Sequence, residues 1–317
     1  MTNLLILLAM PEDVRAQYHK RITERFPALA VNVVDHHSKV GPHIASTDIL
    51  LTFCPMMADH VVRDAKNLKW IQALGSGVDN IADLPSLRPD VMVTTARGVQ
   101  GIPVSEATIA LMLALSRDLP RVVRNQDGHR WERWPARLLH GRTVGILGVG
   151  QIAEVLAPKC KALGMTVVGV TGTKRPLPGF DRMYGQDELA RAVAEFDYFV
   201  LLIPYTAKSH GMIDARILSS MRPSSYLINV ARGGVVDEAA LIEALEKKQI
   251  AGAALDVFAE EPLPETHPFW SMRSVILTPH LAGFNDAYVD HVMPTVAANI
   301  ERFLAGDREH MLNIWKR

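Results

Sequence analysis

The sequence predicts an α/β fold in which helices cover parallel β-sheets. Its 317 residues point to two domains, since domains average roughly 150 residues. Short apolar runs rich in β-branched residues alternate with stretches of helical periodicity, which is typical of strand–helix–strand units. The runs are nearly continuous in hydrophobicity, as expected for strands that are buried on both faces of a parallel sheet.

The predicted strands are distributed along the whole chain. The first apolar run, residues 4–10, has no Lys or Arg before it and is followed directly by Pro11, so it predicts a buried strand rather than a signal peptide. The other predicted strands are residues 48–53, 91–95, 143–147, 166–170, 198–203, 226–230 and 275–277.

Helical patterns connect these strands. Two long ones, at residues 105–115 and at 286–304 before Gly306, are predicted connectors between domains. Asp237 is a predicted N-cap of a further helix. Residues 116–141 lose the strand period and carry Trp131 and Trp134. Such tryptophans mark either a partner surface or part of the chain's own core.

Composition excludes several classes of protein. The 34 Lys and Arg balance 34 Asp and Glu, so there is no general attraction to nucleic acid or to anionic membranes. No apolar run approaches the ~20 residues of a membrane-spanning helix. The two cysteines, Cys54 and Cys160, provide neither a disulfide framework nor a zinc motif. We therefore expect a cytoplasmic protein without a metal site.

A glycine-rich turn follows the predicted strand 143–147. Gly148 and Gly150 stand where the backbone must turn tightly and approach a pyrophosphate, and the small Ala153 suits close packing of helix on strand. Gln151 and Ile152 open the helix, whose N-terminus supplies free N–H groups and a positive dipole end. This context predicts a dinucleotide site.

The end of the next strand bears on the choice of dinucleotide. NAD sites usually carry an Asp or Glu there, about 20 residues beyond the glycines, to accept from the ribose 2′-OH. Here no acid occurs before Asp181. The segment instead contains Thr171, Thr173, Lys174 and Arg175. Hydroxyls and cations are what a 2′-phosphate requires, so NADP(H) is favoured over NAD(H), although a basic surface turn would look the same.

Polar residues follow three successive predicted strands further along the chain, in segments 229–234, 255–262 and 277–283. In an α/β sheet these positions lie at the carboxyl ends of strands, where ligands bind. Each residue alone has an ordinary explanation, such as a solvated arginine or a turn aspartate. Their joint occurrence favours a functional site.

From residue 74 to the last helix the sequence resembles the D-isomer-specific 2-hydroxyacid dehydrogenase family, through the motifs at 74–81, 145–153, 229–234, 255–262 and 277–283. The resemblance implies two Rossmann-like doubly wound parallel-sheet domains with the active site in the cleft between them. It also implies a substrate-binding domain at 1–100 and 285–317 and a dinucleotide-binding domain at 101–284.

The family's catalytic residues correspond to Arg232, Glu261 and His280. A histidine suits the general acid that protonates a carbonyl oxygen, and a neighbouring glutamate would orient it. The arginine fork would hold the substrate carboxylate. The glycine-rich turn at Ser76, Gly77 and Val78 would present N–H groups to the same carboxylate.

The resemblance also assigns further residues to the cofactor. Asp256 would contact the nicotinamide carboxamide. The remaining predicted cofactor contacts are Val104, Pro204, Ser209, Val230, Ala231 and Gly283.

The predicted activity is reduction of a small 2-oxo acid to the D-2-hydroxy acid, with glyoxylate or hydroxypyruvate favoured. An alternative is the same chemistry on a bulkier 2-oxo acid. Its pocket would be shaped by Met56, Met57 and Phe284 and by Trp134 from a neighbouring subunit. A different class of function is a non-catalytic NAD(P)-sensing protein on the same fold. The family resemblance and residues 116–141 together predict a homodimer.

Overall fold

The computed structural model describes residues 1–53 and 57–316. Cys54 and the predicted pocket residue Met56 lie outside this part of the chain. The chain forms two compact units. One contains Met1–Val99 together with Asp286–Arg317, and the other contains Gln100–Asn285.

The described residues form parallel strands and helices in alternation. The strands are β1 (Thr2–Leu7), β2 (Leu29–Val34), β3 (Ile49–Thr52), β4 (Trp70–Ala73), β5 (Met92–Thr94), β6 (Thr143–Leu147), β7 (Thr166–Thr171), β8 (Arg182–Gly185), β9 (Tyr198–Leu201), β10 (Tyr226–Asn229), β11 (Gly252–Leu255) and β12 (Val275–Leu277). The α-helices are α1 (Glu12–Arg25), α2 (Gly41–Ile44), α3 (Asp59–Asp64), α4 (Gly101–Arg117), α5 (Leu119–Asp127), α6 (Gln151–Ala162), α7 (Leu189–Ala192), α8 (Ala215–Ser220), α9 (Glu238–Glu246) and α10 (Tyr288–Leu304).

The first unit is built on a five-stranded parallel sheet in the order β2-β1-β3-β4-β5. Strand β1 shows why its sequence is apolar throughout. Leu4 and Ile6 enter one hydrophobic cluster, while Leu5 and Leu7 enter the cluster on the opposite face. A strand buried on both faces cannot alternate apolar with polar residues.

The chain beyond α10 returns to the edge of this sheet. Ile314 forms an antiparallel bridge with Thr94, and the N–H of Trp315 donates to the carbonyl of Val93 at 2.9 Å. This pairing covers the outer edge of β5, which would otherwise present unpaired backbone groups.

A buried polar network joins α10 to the sheet beneath it. Asn299 Nδ2 donates to Gln72 Oε1 at 2.9 Å, and Thr94 Oγ1 donates to the same oxygen at 2.8 Å. Trp70 Nε1 donates to Thr94 Oγ1 at 2.8 Å. Asn299 also exchanges two hydrogen bonds with the backbone of Leu312. Buried polar side chains are tolerated here because they hydrogen-bond to one another.

The second unit is built on a seven-stranded parallel sheet in the order β12-β11-β10-β9-β6-β7-β8. The strand order reverses between β6 and β9. In open α/β sheets, such a reversal separates the loops at the carboxyl ends of the strands and creates a crevice for a ligand.

The sequence pattern predicted β6 and β12 at their observed bounds and most other strands to within a few residues. It missed the helix α5 inside residues 116–141, because Leu119, Val122 and Val123 stand among arginines there. These three side chains are substantially exposed. Trp131 is 94% exposed, so the alternative that it is buried in the chain's own core is wrong. Trp134 is half-buried beneath the guanidinium of Arg121.

Within the described ranges, none of the helices combines the length and the apolar character needed to cross a bilayer.

Candidate active site in the seven-stranded unit

The glycine-rich turn connects β6 to α6 at the point where the strand order reverses. Gly148 has a φ of +96°, and a Cβ there would lie 2.7 Å from the backbone nitrogen of Ile203. Only glycine therefore fits at this position. A Cβ on Gly150, the N-cap residue of α6, would meet nothing within 4 Å, so space remains beside the helix N-terminus.

The N-terminus of α6 has no side-chain cap. The first N–H groups of a helix have no acceptor within the helix, so those of Gln151 and Ile152 remain available to a ligand. Ala153 is completely buried, as the sequence predicted for a position of close packing. The open space, the uncapped helix end and the tight turn together fit a dinucleotide pyrophosphate.

Basic residues follow β7 at the same edge of the sheet. Thr171 ends the strand and is half-buried, while Thr173, Lys174 and Arg175 are exposed. Lys174 Nζ lies 3.0 Å from Glu188 Oε2. Within residues 1–53 and 57–316, Arg175 makes no ion pair.

Asp181 does not substitute for the acid that is missing after β7. Its carboxylate accepts from the N–H of Val167 at 2.8 Å and pairs with Lys161 Nζ at 2.8 Å. Val167 lies near the beginning of β7, so Asp181 is at the opposite end of the strand from Thr171.

Arg232, Glu261 and His280 come from loops at the carboxyl ends of three neighbouring strands. Arg232 follows β10, Glu261 follows β11 and His280 follows β12. Arg232 is half-buried, and its Nη1 donates to the carbonyl of Ala231 at 2.7 Å. Asn229 fixes the backbone around it, since its amide nitrogen donates to the carbonyl of Arg232 at 3.0 Å.

Glu261 and His280 form a direct hydrogen bond. Glu261 Oε2 lies 2.7 Å from His280 Nδ1, and Glu261 Oε1 accepts from the N–H of Phe258 at 2.9 Å. Burial raises the pKa of Glu261, but the hydrogen bonds from His280 and Phe258 and the charge of Arg232 outweigh it and leave the pKa below its ordinary value. The carboxylate is therefore ionised at neutral pH.

A buried carboxylate holds the loop that carries the histidine. Asp256 is 1% exposed, and its two oxygens accept from Thr278 Oγ1 and from the N–H groups of Leu281 and Ala282 at 2.5–2.9 Å. His280 itself has a φ of +53°, which is uncommon for residues with a side chain. The Asp256 hydrogen bonds on both sides stabilise this conformation.

Several predicted cofactor residues are buried in this unit. Val104 and Val230 belong to one hydrophobic cluster, and Ala231 belongs to another. The hydroxyl of Ser209 accepts from the N–H of Thr206 at 2.8 Å and donates to the carbonyl of Pro204 at 2.8 Å. Its hydrogen bonds therefore organise the loop after β9.

Gly283 closes the histidine loop. A Cβ at this position would lie 2.5 Å from Gln100 Oε1, so the loop and Gln100 approach closely.

The predicted carboxylate-binding residues belong to the other unit. Ser76, Gly77 and Val78 follow β4, with Ser76 exposed and the other two half-buried. The carbonyl of Gly75, directly before them, accepts from the N–H of Ala96 at 2.9 Å, which fixes the start of the turn.

Sequence reasoning missed two residues that position the site. Thr278 donates to Asp256, as described above. Glu238, at the start of α9, accepts from the N–H of Ala259 at 2.8 Å and so holds the segment that leads to Glu261. No sequence signal distinguishes Glu238 from an ordinary first-turn glutamate after the N-cap Asp237.

Most of the seven-stranded unit matches a known protein family. The family model described as D-isomer specific 2-hydroxyacid dehydrogenase, NAD binding domain, matches residues 109–282, which is more than half of the chain.

Individual relatives resemble the chain over most of its length. The chain is 32% identical over 245 residues to glyoxylate/hydroxypyruvate reductase A of Yersinia enterocolitica, covering 75% of this chain and 78% of that protein. It is 32% identical over 270 residues to a D-3-phosphoglycerate dehydrogenase of Synechocystis, covering 81% of this chain and 47% of that protein. The chain thus spans about half the length of that dehydrogenase.

A solved structure matches the whole chain. An NADPH-dependent glyoxylate/hydroxypyruvate reductase from Sinorhizobium meliloti, in complex with NADP and sulfate, has a TM-score of 0.85 and 27% sequence identity, covering 100% of this chain and 98% of that one. The matched family, the two parallel sheets and the glycine turn lead to one conclusion: the chain belongs to the D-isomer specific 2-hydroxyacid dehydrogenase family of NAD(P)-dependent oxidoreductases.

Proposed function

We propose that this protein reduces a small 2-oxo acid to the D-2-hydroxy acid with NADPH, glyoxylate or hydroxypyruvate being the favoured substrates. The observation that carries the proposal is the 2.7 Å hydrogen bond between Glu261 and His280 at the carboxyl edge of the sheet. The names of the Yersinia and Sinorhizobium relatives support the choice of substrate.

The dinucleotide would be held by the glycine turn and the N-terminus of α6. Gly148 allows the tight turn, and the space beside Gly150 accommodates a pyrophosphate next to the N–H groups of Gln151 and Ile152. When bound, NADPH supplies the hydride that reduces the carbonyl carbon.

His280 would deliver the proton that the carbonyl oxygen requires. Its Nδ1 hydrogen-bonds to the ionised Glu261 and therefore carries a proton, since a carboxylate can only accept. The proton for the substrate must then come from Nε2. Glu261 stabilises the imidazolium, and Phe258 keeps the carboxylate in position through its N–H.

Arg232 would bind the substrate carboxylate. A guanidinium presents two parallel donors that match a carboxylate, and its positive charge also stabilises the charge that develops on the carbonyl oxygen. The unit with the five-stranded sheet would serve as the substrate-binding domain, with the N–H groups of Ser76, Gly77 and Val78 available to a substrate carboxylate. The seven-stranded unit would be the dinucleotide-binding domain.

We propose NADP(H) rather than NAD(H) as the preferred cofactor. Thr171, Thr173, Lys174 and Arg175 follow β7, where an acidic residue would otherwise select a free 2′-OH. Asp181, the next acidic residue in the sequence, binds Val167 and Lys161 at the other end of the strand. We also propose cofactor contacts for the other residues that the sequence assigned to this role, which are Val104, Pro204, Ser209, Val230, Ala231 and Gly283. Asp256 would contact the nicotinamide carboxamide, and it also holds the histidine loop.

One observation favours bulkier substrates as a second candidate. Leu281 and Phe284 follow His280 in sequence, and their side chains are 49% and 46% exposed. Apolar side chains beside the proton donor would suit a 2-oxo acid with an apolar substituent.

We further propose a homodimer formed through residues 119–138. Val122, Val123, Trp131 and Leu138 in this segment are all exposed, and clustered exposed apolar residues mark association surfaces. Light scattering of the wild type should give twice the chain mass, and Trp131→Glu should shift the protein towards monomer. A monomeric wild type would contradict the dimer.

The activity is tested by following NADPH and NADH absorbance with glyoxylate, hydroxypyruvate, pyruvate and phenylpyruvate, and by assaying 3-phosphoglycerate oxidation. We expect turnover of the two favoured substrates, a clear NADPH preference and a D-configured product wherever the product is chiral. Highest kcat/KM with phenylpyruvate would favour the bulkier substrate class. Tight NADPH binding without turnover of any compound would contradict the enzymatic proposal and favour a nucleotide sensor.

A further inference from the structure

A carboxylate lies next to the basic segment that follows β7. Glu188 Oε2 is 3.0 Å from Lys174 Nζ, and Glu188 Oε1 is 3.9 Å from a guanidinium nitrogen of Arg191. Strands β7 and β8 pair so that Thr171 lies opposite Gly185, which places the ends of both strands side by side. The loop after β8 thus brings a negative charge to the residues after β7.

The carboxylate of Glu188 is fixed in this position. Its Oε2 also accepts from the N–H of Gly185 at 3.0 Å. This backbone hydrogen bond, together with the hydrogen bond from Lys174, lowers the pKa of Glu188 from its ordinary value. Glu188 is therefore ionised at neutral pH and is held by the backbone as well as by the lysine.

We infer that Glu188 limits the preference of this protein for NADP(H), an inference that rests on the proposed binding of the 2′-phosphate by Lys174. A phosphate oxygen within hydrogen-bonding distance of Nζ, about 2.8 Å, lies no more than ~6 Å from Glu188 Oε2. The 2′-phosphate must then share Lys174 with a like-charged group. NADH, which carries a 2′-OH instead, meets no such repulsion.

The effect is selective because of the charges involved. A phosphate monoester carries about −1.5 to −2 charges near neutral pH. Its repulsion by a unit charge at ~6 Å in a solvent-exposed setting corresponds to roughly a tenfold loss of affinity. A neutral 2′-OH feels almost none of this repulsion. Glu188 therefore reduces the difference in affinity between NADPH and NADH, and it provides no contact that NADPH needs.

The test compares Glu188→Gln with the wild type by titrating NADPH and NADH into the full-length protein without substrate. The amide oxygen of Gln can still accept from Gly185 and from Lys174, so the loop keeps its hydrogen bonds while the charge is lost. We expect the Kd for NADPH to fall about tenfold and the Kd for NADH to stay within about twofold. An unchanged or higher NADPH Kd, or an equal tightening for both cofactors, would overturn the inference.

Glu243→Gln is the matched control. Glu243 also pairs with a lysine, Lys247, four residues further along α9. The control removes one negative charge from the same unit and should leave both Kd values within about twofold, because α9 follows β10, which β9 and β6 separate from β7.

Lys174→Met separates failure of this inference from failure of the cofactor proposal. Weaker NADPH binding in Lys174→Met, without a response to Glu188→Gln, would overturn only the role of Glu188. Equal NADPH affinity in Lys174→Met and the wild type would instead refute the binding of the 2′-phosphate by Lys174.

Discussion

Glu261 and His280 are 19 residues apart in sequence, yet their side chains meet at 2.7 Å because β11 and β12 are neighbours in the sheet. Both carboxylate oxygens are occupied, one by the imidazole and one by the N–H of Phe258. The histidine is therefore oriented by a group that is itself fixed, which is a requirement for directed proton transfer.

His280→Ala should lower kcat for 2-oxo acid reduction by at least about a hundredfold, since the proton donor is lost. Steady-state assays with NADPH would measure the effect. His19→Ala, which removes an exposed histidine from α1, should leave kcat unchanged. Near-normal turnover of the His280 variant would remove this residue from the mechanism.

Arg232→Lys should lower kcat/KM by about tenfold or more, because an ammonium group cannot form the two parallel hydrogen bonds of a guanidinium with a carboxylate. The variant keeps the positive charge and so isolates the geometry of the interaction. The assignment of Arg232 to the substrate carboxylate fails if kcat/KM is the same as in the wild type.

Replacing Lys174 and Arg175 together by Ala should raise the KM for NADPH at least about tenfold and leave the KM for NADH nearly unchanged, because only NADPH carries the 2′-phosphate. Both constants are measured at a fixed, saturating concentration of 2-oxo acid. Equal changes for the two cofactors would mean that the pair does not contact a 2′-phosphate.

The pH dependence of reduction should lack an acidic limb due to Glu261. Its pKa lies below the ordinary 4.5, so the carboxylate stays ionised from about pH 5 upward. The contact between the Glu261 carboxylate and His280 is thus fully present above the ordinary pKa of a glutamate. It is lost only as the pH falls through the lowered pKa of Glu261. A kcat profile measured downward from neutral pH to about pH 5 should therefore show no fall, and a fall in that range would contradict the lowered pKa of Glu261.

Glu261→Gln should lower kcat for 2-oxo acid reduction by about tenfold or more, because a neutral amide replaces the carboxylate that accepts from His280 Nδ1. An unchanged kcat would contradict the role of Glu261 in orienting His280.

Asn299→Ala should destabilise the five-stranded unit by about 2–3 kcal/mol, because it leaves Gln72 and the backbone of Leu312 without their buried partner. Urea unfolding measures the loss. Glu301→Ala on the same helix removes an exposed ion pair with Arg25 and should have a much smaller effect. Equal effects of the two changes would show that the buried network adds no stability beyond a surface contact.

Strands with continuous apolar runs were predictable from the sequence, whereas β2, β4, β8 and β11 were not. Strands β2 and β8 lie at the edges of their sheets and contain Asn32 and Arg182, which interrupt the apolar pattern. Strand β4 carries the buried Gln72, whose partners in β5 and α10 are distant in sequence. Strand β11 consists of Gly252, Ala253, Ala254 and Leu255 and has little β propensity. A Cβ on Gly252 would lie 2.4 Å from the carbonyl oxygen of Ser274, so packing against the neighbouring strand selects these small residues.

The candidate site shows the same division. The glycine turn was predictable because its requirements are local. The hydrogen bonds between Asp256 and the histidine loop were not predictable, since the partners of Asp256 lie 22–26 residues further along the chain. Glu188 was missed for the same reason, because only the pairing of β7 with β8 brings it to Lys174.

The five-stranded unit is assembled from two distant stretches of sequence, which affects how the chain folds during synthesis. Residues 1–99 leave the ribosome first, but the helix α10 that covers Trp70, and whose Phe303 stacks on that indole at 5.4 Å, is made only after Gln100–Asn285. At about 5–20 residues per second, this delay lasts roughly 10–40 s. The seven-stranded unit can fold in that interval, while an apolar face of the earlier sheet stays uncovered. Until α10 emerges, that uncovered apolar surface makes the nascent chain prone to aggregation.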